Sequence, residues 1–282
     1  MKCNLISQSP FEGTKRDYQK AERGSNLRDK PSNDQRYVFF HVPHDGHTFP
    51  AELMSSVCIT REDFMNYHQM MRDIDARRMI PEEYLDQAEC FAVSRLLCDV
   101  ERFIGPQEIM ERYGMGFCYE KAYDGKTIKH VDEVLKLATR EYYDIHHKKL
   151  CSVCNEHSNV MFFDLHSYSD SLIQSHAMMR NTPDLCIGTD ANFTPPILRE
   201  IIYKRFGEAG FSIAENAPYD GLYVPENVLY GQCDCDFIGV MLEFNKRCYC
   251  DSNERSINKR LELIRSTIRR VIADYEQIHA SR

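Results

Sequence analysis

The sequence predicts an α/β protein with a mainly parallel or mixed central sheet flanked by helices. Apolar, β-branched or aromatic runs of strand length occur at 37–42, 159–166, 183–189 and 237–244. Helical patterns alternate with these runs, at 61–79, 131–150, 195–210 and 257–275. Since apolar strands that alternate with helices are typical of parallel sheets with both faces covered, we expect this architecture here.

Local signals set the boundaries of the predicted elements. The segment TRED places Thr60 as the N-cap of a helix that runs from Arg61 to about Met79. Pro81 suits the first turn of another helix, PEEYLDQAECF. The segment SRLLCDVERF, 94–103, is typical of a short strand, and the glycines of 114–127 favour a hairpin or loop.

The last helix has the clearest amphipathic pattern. Its apolar residues recur every three or four positions, at Ile257, Leu261, Ile264, Ile268, Ile272 and Tyr275. That spacing forms one apolar stripe, which we expect to pack on the body of the protein.

Composition narrows the class of protein. The chain has 282 residues and a net charge of −8, without a Lys/Arg block of the kind that binds nucleic acid. No apolar run approaches the ~20 residues that span a bilayer, so no membrane partner is expected. Residues 1–35 form a polar leader without a secretory apolar segment, which predicts a cytoplasmic protein whose residues 36–282 make a single domain.

Twelve cysteines are many for a chain of this class. Cys151 and Cys154 form a CxxC pair, and CxC pairs lie at 233–235 and 248–250. These spacings are compatible with a structural zinc site, but they lack the usual paired knuckles. We therefore expect packed or surface thiols.

Polar side chains follow several of the predicted strands. His44 and His47 come after the first, Asp164 and His166 end another, and Glu243 ends a third. Strand ends meet at one edge of an α/β sheet, and imidazoles with a carboxylate could there form a zinc site with an open position for water. The alternative is that each is an ordinary hydrogen-bonded core residue.

Seven segments between about 41 and 250 resemble, in order, motifs of the N-formylglutamate amidohydrolase family. They are HVPHDGHTFP, SRLLCDVERF, GMGFCYEKAYDGKT, YYDIHHKKL, FFDLHSYSD, PDLCIGTDANFTPP and VMLEFNKRCY. The resemblance implies a fold similar to that of zinc carboxypeptidases. It also implies a metal-dependent hydrolase of N-formyl or N-acyl amino acids.

The resemblance implies a metal centre as well. His44 and His166 match its two histidine ligands, and either His47 or Asp73 matches the third. Alternatively, His47 contacts substrate, and Asp73 pairs with a neighbouring arginine. The implied cofactor is one Zn²⁺ per chain or another divalent metal.

The remaining site residues are also carried over from the resemblance. Glu243 matches the glutamate that activates water, although it could instead pair with a nearby cation. Arg102 matches the arginine that anchors a substrate carboxylate, and Arg95 either shares this role or supports another side chain. His147 either donates to substrate or lies on the surface. Glu101 stands where the family has asparagine, an acid that we expect to weaken binding of a dicarboxylate.

The sequence therefore favours an amidohydrolase with a small-molecule N-acyl amino acid as substrate. Two alternatives stay open: a carboxypeptidase or amidase that acts on peptide or cell-wall fragments, and a non-catalytic descendant that binds metal or a partner. The oligomeric state is left unpredicted.

Overall fold

A six-stranded sheet forms the centre of the molecule in the computed structural model, which describes residues 35–171 and 181–280. In chain order its strands are β1 (Tyr37–Val42), β2 (Ala88–Cys90), β3 (Asn159–Tyr168), β4 (Leu185–Gly188), β5 (Ile213–Glu215) and β6 (Asp236–Asn245). The predicted polar leader, apart from position 35, lies outside the described residues.

The strands lie in the order β2-β1-β3-β6-β4-β5. Neighbouring strands are parallel except β4 and β6, which are antiparallel. The prediction of an α/β protein with a mainly parallel or mixed sheet is therefore confirmed. The sequence did not reveal β2 and β5, which have three residues each and only intermediate burial.

Helices surround this sheet, and side chains cap two of them. They are α1 (Ala51–Met54), α2 (Arg61–Met71), α3 (Glu133–Glu156), α4 (Pro196–Glu208), α5 (Glu226–Leu229) and α6 (Asn258–Ala280). The predicted N-cap is confirmed, because Thr60 Oγ1 accepts a hydrogen bond from the Asp63 amide at 3.1 Å. Asp132 caps α3 in the same way.

Residues of the central strands alternate between two cores. Val38, Phe40 and Val42 of β1 share one core with α4 and α6, whereas Phe39 packs with Leu150 of α3 in the other. The apolar stripe of α6 is buried from Leu261 to Tyr275, as predicted. Helices thus cover both faces of the sheet.

The predicted helix over 61–79 is wrong in its second half. Helix α2 ends at Met71, Arg72 is extended, and the Asp73 amide donates to the carbonyl of His44 at 3.0 Å. Residues Ala76–Met79 then form a 3₁₀ turn. The tertiary contact with His44 brings Asp73 to the edge of the sheet, and no local signal encodes it.

Two further predictions next to this region are wrong. The segment 81–91 is a 3₁₀ turn at Glu82–Tyr84 followed by β2, because pairing with β1 overrides the helical pattern. The segment 94–103 is a series of turns and not a strand. The loop predicted at 114–127 is confirmed, with a bridge between Lys121 and Thr127 around a left-handed Gly125.

The eleven cysteines among the described residues are free thiols, as expected. Among the described residues, no helix has both the length and the apolar character to cross a membrane.

Candidate active site

The polar strand ends converge at one edge of the sheet. His166 of β3 lies directly opposite Glu243 of β6, and Asp164 of β3 lies opposite His41 of β1. His44 follows β1 by two residues. Because these strands are parallel, their carboxyl ends bring the side chains together where α/β proteins form their sites.

The turn after β1 is held by Asp45. Its carboxylate accepts hydrogen bonds from Arg72 Nη2 at 2.6 Å and from the amides of Asp75 and Arg77, both at 3.1 Å. Gly46 packs so closely that a Cβ there would lie 2.4 Å from the Val93 carbonyl oxygen. The turn is therefore held by the hydrogen bonds of Asp45, and it packs closely because Gly46 has no side chain.

His44 and His166 are buried side by side, with ring centroids 5.2 Å apart. His44 Nε2 donates to Asp99 Oδ1 at 3.0 Å, and His166 Nδ1 donates to Asp73 Oδ2 at 3.2 Å. The other nitrogen of each ring, Nδ1 of His44 and Nε2 of His166, has no hydrogen-bond partner among the described residues. A buried imidazole held by a carboxylate on one side and free on the other is typical of a metal ligand.

Glu101 completes this group. One ligand atom from each of His44, Glu101 and His166 lies within 4.8 Å of the others. Glu101 Oε1 lies 3.2 Å from His166 Nε2, and Oε2 lies 3.5 Å from His44 Nε2, the nitrogen that also bonds to Asp99. The other nitrogen of His44, Nδ1, lies 3.6 Å from Asp73 Oδ2. Two imidazoles and a carboxylate suit Zn²⁺, so the residues present fit a divalent metal ion.

The acidic surroundings favour positive charge on both rings. Burial and Arg95 lower the pKa of His44, but Asp99, Glu101 and Asp73 outweigh them and raise it. Burial also lowers the pKa of His166, and here Glu101, Asp164 and Asp73 together hold it well above its usual value. The group thus attracts cations, whether protons or a metal ion.

Asp99 links this group to two arginines. It is fully buried and accepts hydrogen bonds from Arg95 Nη2 at 2.9 Å and from the Tyr119 hydroxyl at 2.7 Å. The Arg102 Nε lies 3.6 Å from Asp99 Oδ2 and has no hydrogen-bond partner within the part of the chain that the structure describes. Arg95 is therefore committed to the protein, whereas Arg102 has donors left for a ligand.

Glu243 lines the same space as a buried carboxyl group. Burial raises its pKa to about 8, with Asp73 and Glu101 adding to the rise and His166 opposing it. A carboxyl group with a pKa near neutrality can accept and return a proton under physiological conditions.

These side chains share one cavity of about 580 Å³. Its walls include His44, His166, Glu101, Arg102, Glu243 and Tyr219. The volume suits a small molecule, and polar groups converge on one part of an otherwise mixed lining.

The structure brings together some of the predicted site residues and leaves others apart. His44, His166, Asp73, Arg95, Arg102 and Glu243 all line the cavity. His47 is exposed and belongs to neither histidine-containing cluster of the described residues. His147 is buried, donating through Nε2 to the Val100 carbonyl at 2.8 Å and accepting through Nδ1 from the Tyr223 hydroxyl at 2.8 Å.

Sequence reasoning missed the position of Glu101. Its departure from the family's asparagine suggested repulsion of a substrate, whereas the fold places it between the two histidines. Its position directly before Arg102 could have predicted this location, because a loop that places Arg102 at the cavity also places the preceding residue close to it.

A mixed α/β sheet with a histidine and carboxylate centre in a small-molecule cavity is compatible with a hydrolase. The chain belongs to the N-formylglutamate amidohydrolase family, whose sequence model matches residues 37–250. It is therefore of the amidohydrolase type, with a small-molecule substrate.

Solved structures agree on the fold. The N-formylglutamate amidohydrolase of Ralstonia eutropha JMP134 is 16% identical with a TM-score of 0.68, over 88% of this chain and 95% of that one. A gene product of Agrobacterium tumefaciens is 14% identical with a TM-score of 0.59, over 88% and 94% of the two chains. No curated protein matches the chain.

Proposed function

We propose that this protein is a metal-dependent cytoplasmic amidohydrolase that removes the formyl or another acyl group from an N-acyl amino acid. The carrying observation is the pair of buried histidines, each bound to a carboxylate through one ring nitrogen and unpartnered at the other. The pair lies on the wall of a cavity that also contains an uncommitted arginine.

His44, His166 and Glu101 would hold the metal ion, with zinc as our choice. Asp99 and Asp73 accept hydrogen bonds from the two rings and so orient them beside Glu101. A divalent cation bound there would act as a Lewis acid toward the amide carbonyl and make water more acidic. The alternative ligand Asp73 is used in this arrangement to orient His166, and the alternative His47 points to solvent.

Glu243 serves as the general base and then as the general acid. It accepts a proton from the water whose oxygen attacks the acyl carbon, and it returns the proton to the amine nitrogen as the carbon–nitrogen bond breaks. Burial raises the pKa of Glu243, which brings it closer to the pKa values of the groups that give up and receive the proton in the two transfers.

Arg102 anchors the carboxylate of the amino acid. A guanidinium can bind a carboxylate through two parallel hydrogen bonds, which fixes the amide relative to Glu243. Arg95 supports this arrangement indirectly, since it neutralises Asp99 at 2.9 Å. We assign His147 no contact with substrate, because both of its nitrogens are used within the protein.

The test is a Glu243→Gln variant assayed on N-formylglutamate and a panel of N-formyl and N-acetyl amino acids. We expect kcat to fall by about 10²–10⁴-fold while the metal content stays unchanged. Glu215→Gln is the control, since Glu215 ends β5 of the same sheet but pairs with Arg199 at 2.7 Å outside the cavity.

Other results would redirect the assignment. Near-normal turnover by Glu243→Gln would remove Glu243 from the mechanism. Cleavage of peptides but of no N-acyl amino acid by the unaltered protein would favour the carboxypeptidase or amidase alternative. Tight metal binding without hydrolysis of either substrate class would favour the non-catalytic alternative.

A further inference from the structure

A second cluster of possible ligands adjoins the first and shares one member with it. One atom from each of His41, Glu101 and Asp164 lies within 4.8 Å of the others. His41 is fully buried, and Asp164 is 1% exposed. Asp164 also lines the cavity. None of the steps proposed above uses His41 or Asp164.

Hydrogen bonds farther from the cavity fix the proton positions of this second cluster. His146 Nδ1 lies 3.3 Å from Glu89 Oε1, so this nitrogen donates. His146 Nε2 then accepts from His41 Nε2 at 2.9 Å. The remaining nitrogen of His41, Nδ1, faces Asp164 Oδ1 at 2.9 Å, so these two atoms can belong to one shared site.

A second histidine, His166, lies on the other side of Asp164. His166 bonds to Asp73 through Nδ1, so its Nε2 is the nitrogen that faces Asp164. This nitrogen lies 3.1 Å from Asp164 Oδ1 and 3.2 Å from Glu101 Oε1, without a hydrogen bond to either. Asp164 Oδ2 likewise has no partner among the described residues. Ring nitrogens and carboxylate oxygens at such separations are compatible with shared coordination of a cation.

We propose that the site binds two divalent cations that share Glu101. The first is the ion of the proposed function, on which this inference rests, held by His44, His166 and Glu101. The second is held by His41, Asp164 and Glu101. One imidazole and two carboxylates make the second set harder than the first, which suits Zn²⁺ or Mn²⁺.

Glu101 is the residue that would make a site for two cations particular to this chain. The family's asparagine, an uncharged amide, is a poorer ligand for two cations than a carboxylate with two anionic oxygens. Sharing its charge with two cations would also remove the repulsion that Glu101 otherwise exerts on a substrate carboxylate at Arg102. The acid would then be compatible with an anionic amino acid as substrate.

The experiment counts metal ions on the full-length chain. Protein stripped with a chelator is dialysed against buffered free Zn²⁺, and bound zinc per chain is measured by mass spectrometry. We expect two ions in the unaltered protein and one in His41→Phe, which keeps the aromatic contacts with Phe162 and Tyr223. The isosteric Asp164→Asn, which tests the same site if His41→Phe does not fold, should also bind one.

His68→Phe is the matched control. His68 is another buried histidine that packs against an aromatic ring, Phe49, and its Nδ1 bonds to Ser94 Oγ at 2.9 Å, outside both clusters. It should keep two ions. A second measurement loads Mn²⁺ into the unaltered protein, where two ions that share a carboxylate should give the paramagnetic resonance spectrum of a coupled pair.

Each other outcome overturns the inference in a recognisable way. One ion that is retained in His41→Phe and lost in His44→Ala would remove the second position and leave the proposed function intact. No bound zinc in the unaltered protein would remove both proposals. Two ions that persist in both His41→Phe and Asp164→Asn, or an uncoupled Mn²⁺ spectrum, would place the second ion elsewhere.

Discussion

Replacing Asp99 by asparagine should destabilise the protein strongly, because it removes the negative charge that pairs with Arg95 in a buried hydrogen-bonded centre without changing the shape of the side chain. Asp99 accepts from Arg95 Nη2 at 2.9 Å, from the Tyr119 hydroxyl at 2.7 Å and from the Glu101 amide at 3.1 Å. Breaking a buried ion pair at one partner costs about 3–5 kcal/mol, since the other charge stays desolvated. We expect a loss in that range for Asp99→Asn.

A second pair in this chain provides the control. Arg140 and Asp144 have the same i,i+4 spacing and the same 2.9 Å distance as Arg95 and Asp99, but their side chains are 49% and 42% exposed. Asp144→Asn should therefore cost less than about 1 kcal/mol.

The assay is urea unfolding in the presence of chelator, followed by far-ultraviolet circular dichroism because the chain has no tryptophan. Both variants are compared with the unaltered protein at equal concentration. Equal losses for Asp99→Asn and Asp144→Asn would refute the argument that burial decides the energy of this pair.

Three further outcomes follow from the structure. Arg102→Met should raise KM about 10–100-fold, the equivalent of hydrogen bonds to a charged group worth roughly 1.5–3 kcal/mol, with a smaller change in kcat. Burial and the neighbouring His146 lower the pKa of His147 to about 3. The contribution of His147 to the free energy of unfolding is therefore complete above pH 6.5 and is lost toward pH 3, by about 1.4 kcal/mol per pH unit. His147→Gln should remove this pH dependence. Gly46→Ala should cost about 1–3 kcal/mol and reduce zinc binding, because its Cβ would collide with the backbone of Ala92 and Val93 and displace the turn that holds His44.

Each of these outcomes has its own check. An unchanged KM for Arg102→Met would contradict a role of Arg102 in binding the substrate carboxylate. Urea titrations at several pH values should show a shallower acid limb for His147→Gln, and identical limbs would contradict the assignment. Gly207→Ala in α4 is the control for Gly46→Ala, since nothing lies within 4 Å of its Cβ, and it should not destabilise the helix.

The sequence by itself determined the long elements and the family. Strands such as β3 and helices such as α6 carry their own periodic signal, because each buries one stripe or both faces over many residues. The ordered motifs likewise identified His44, His166, Arg102 and Glu243 as candidates, and the fold places all four on one cavity.

Only the tertiary structure decided how those candidates are used. Helix α2 stops at Met71 because the Asp73 amide bonds to His44, a partner 29 positions away in the chain that no local pattern reveals. Residues 94–103 read as a strand but form turns that present Glu101 and Arg102 to the cavity and Asp99 to His44. The same folding separates Asp73 from exposed His47 and gives Glu101 two histidine neighbours, since distances between side chains depend on how the elements pack and not on their order in the chain.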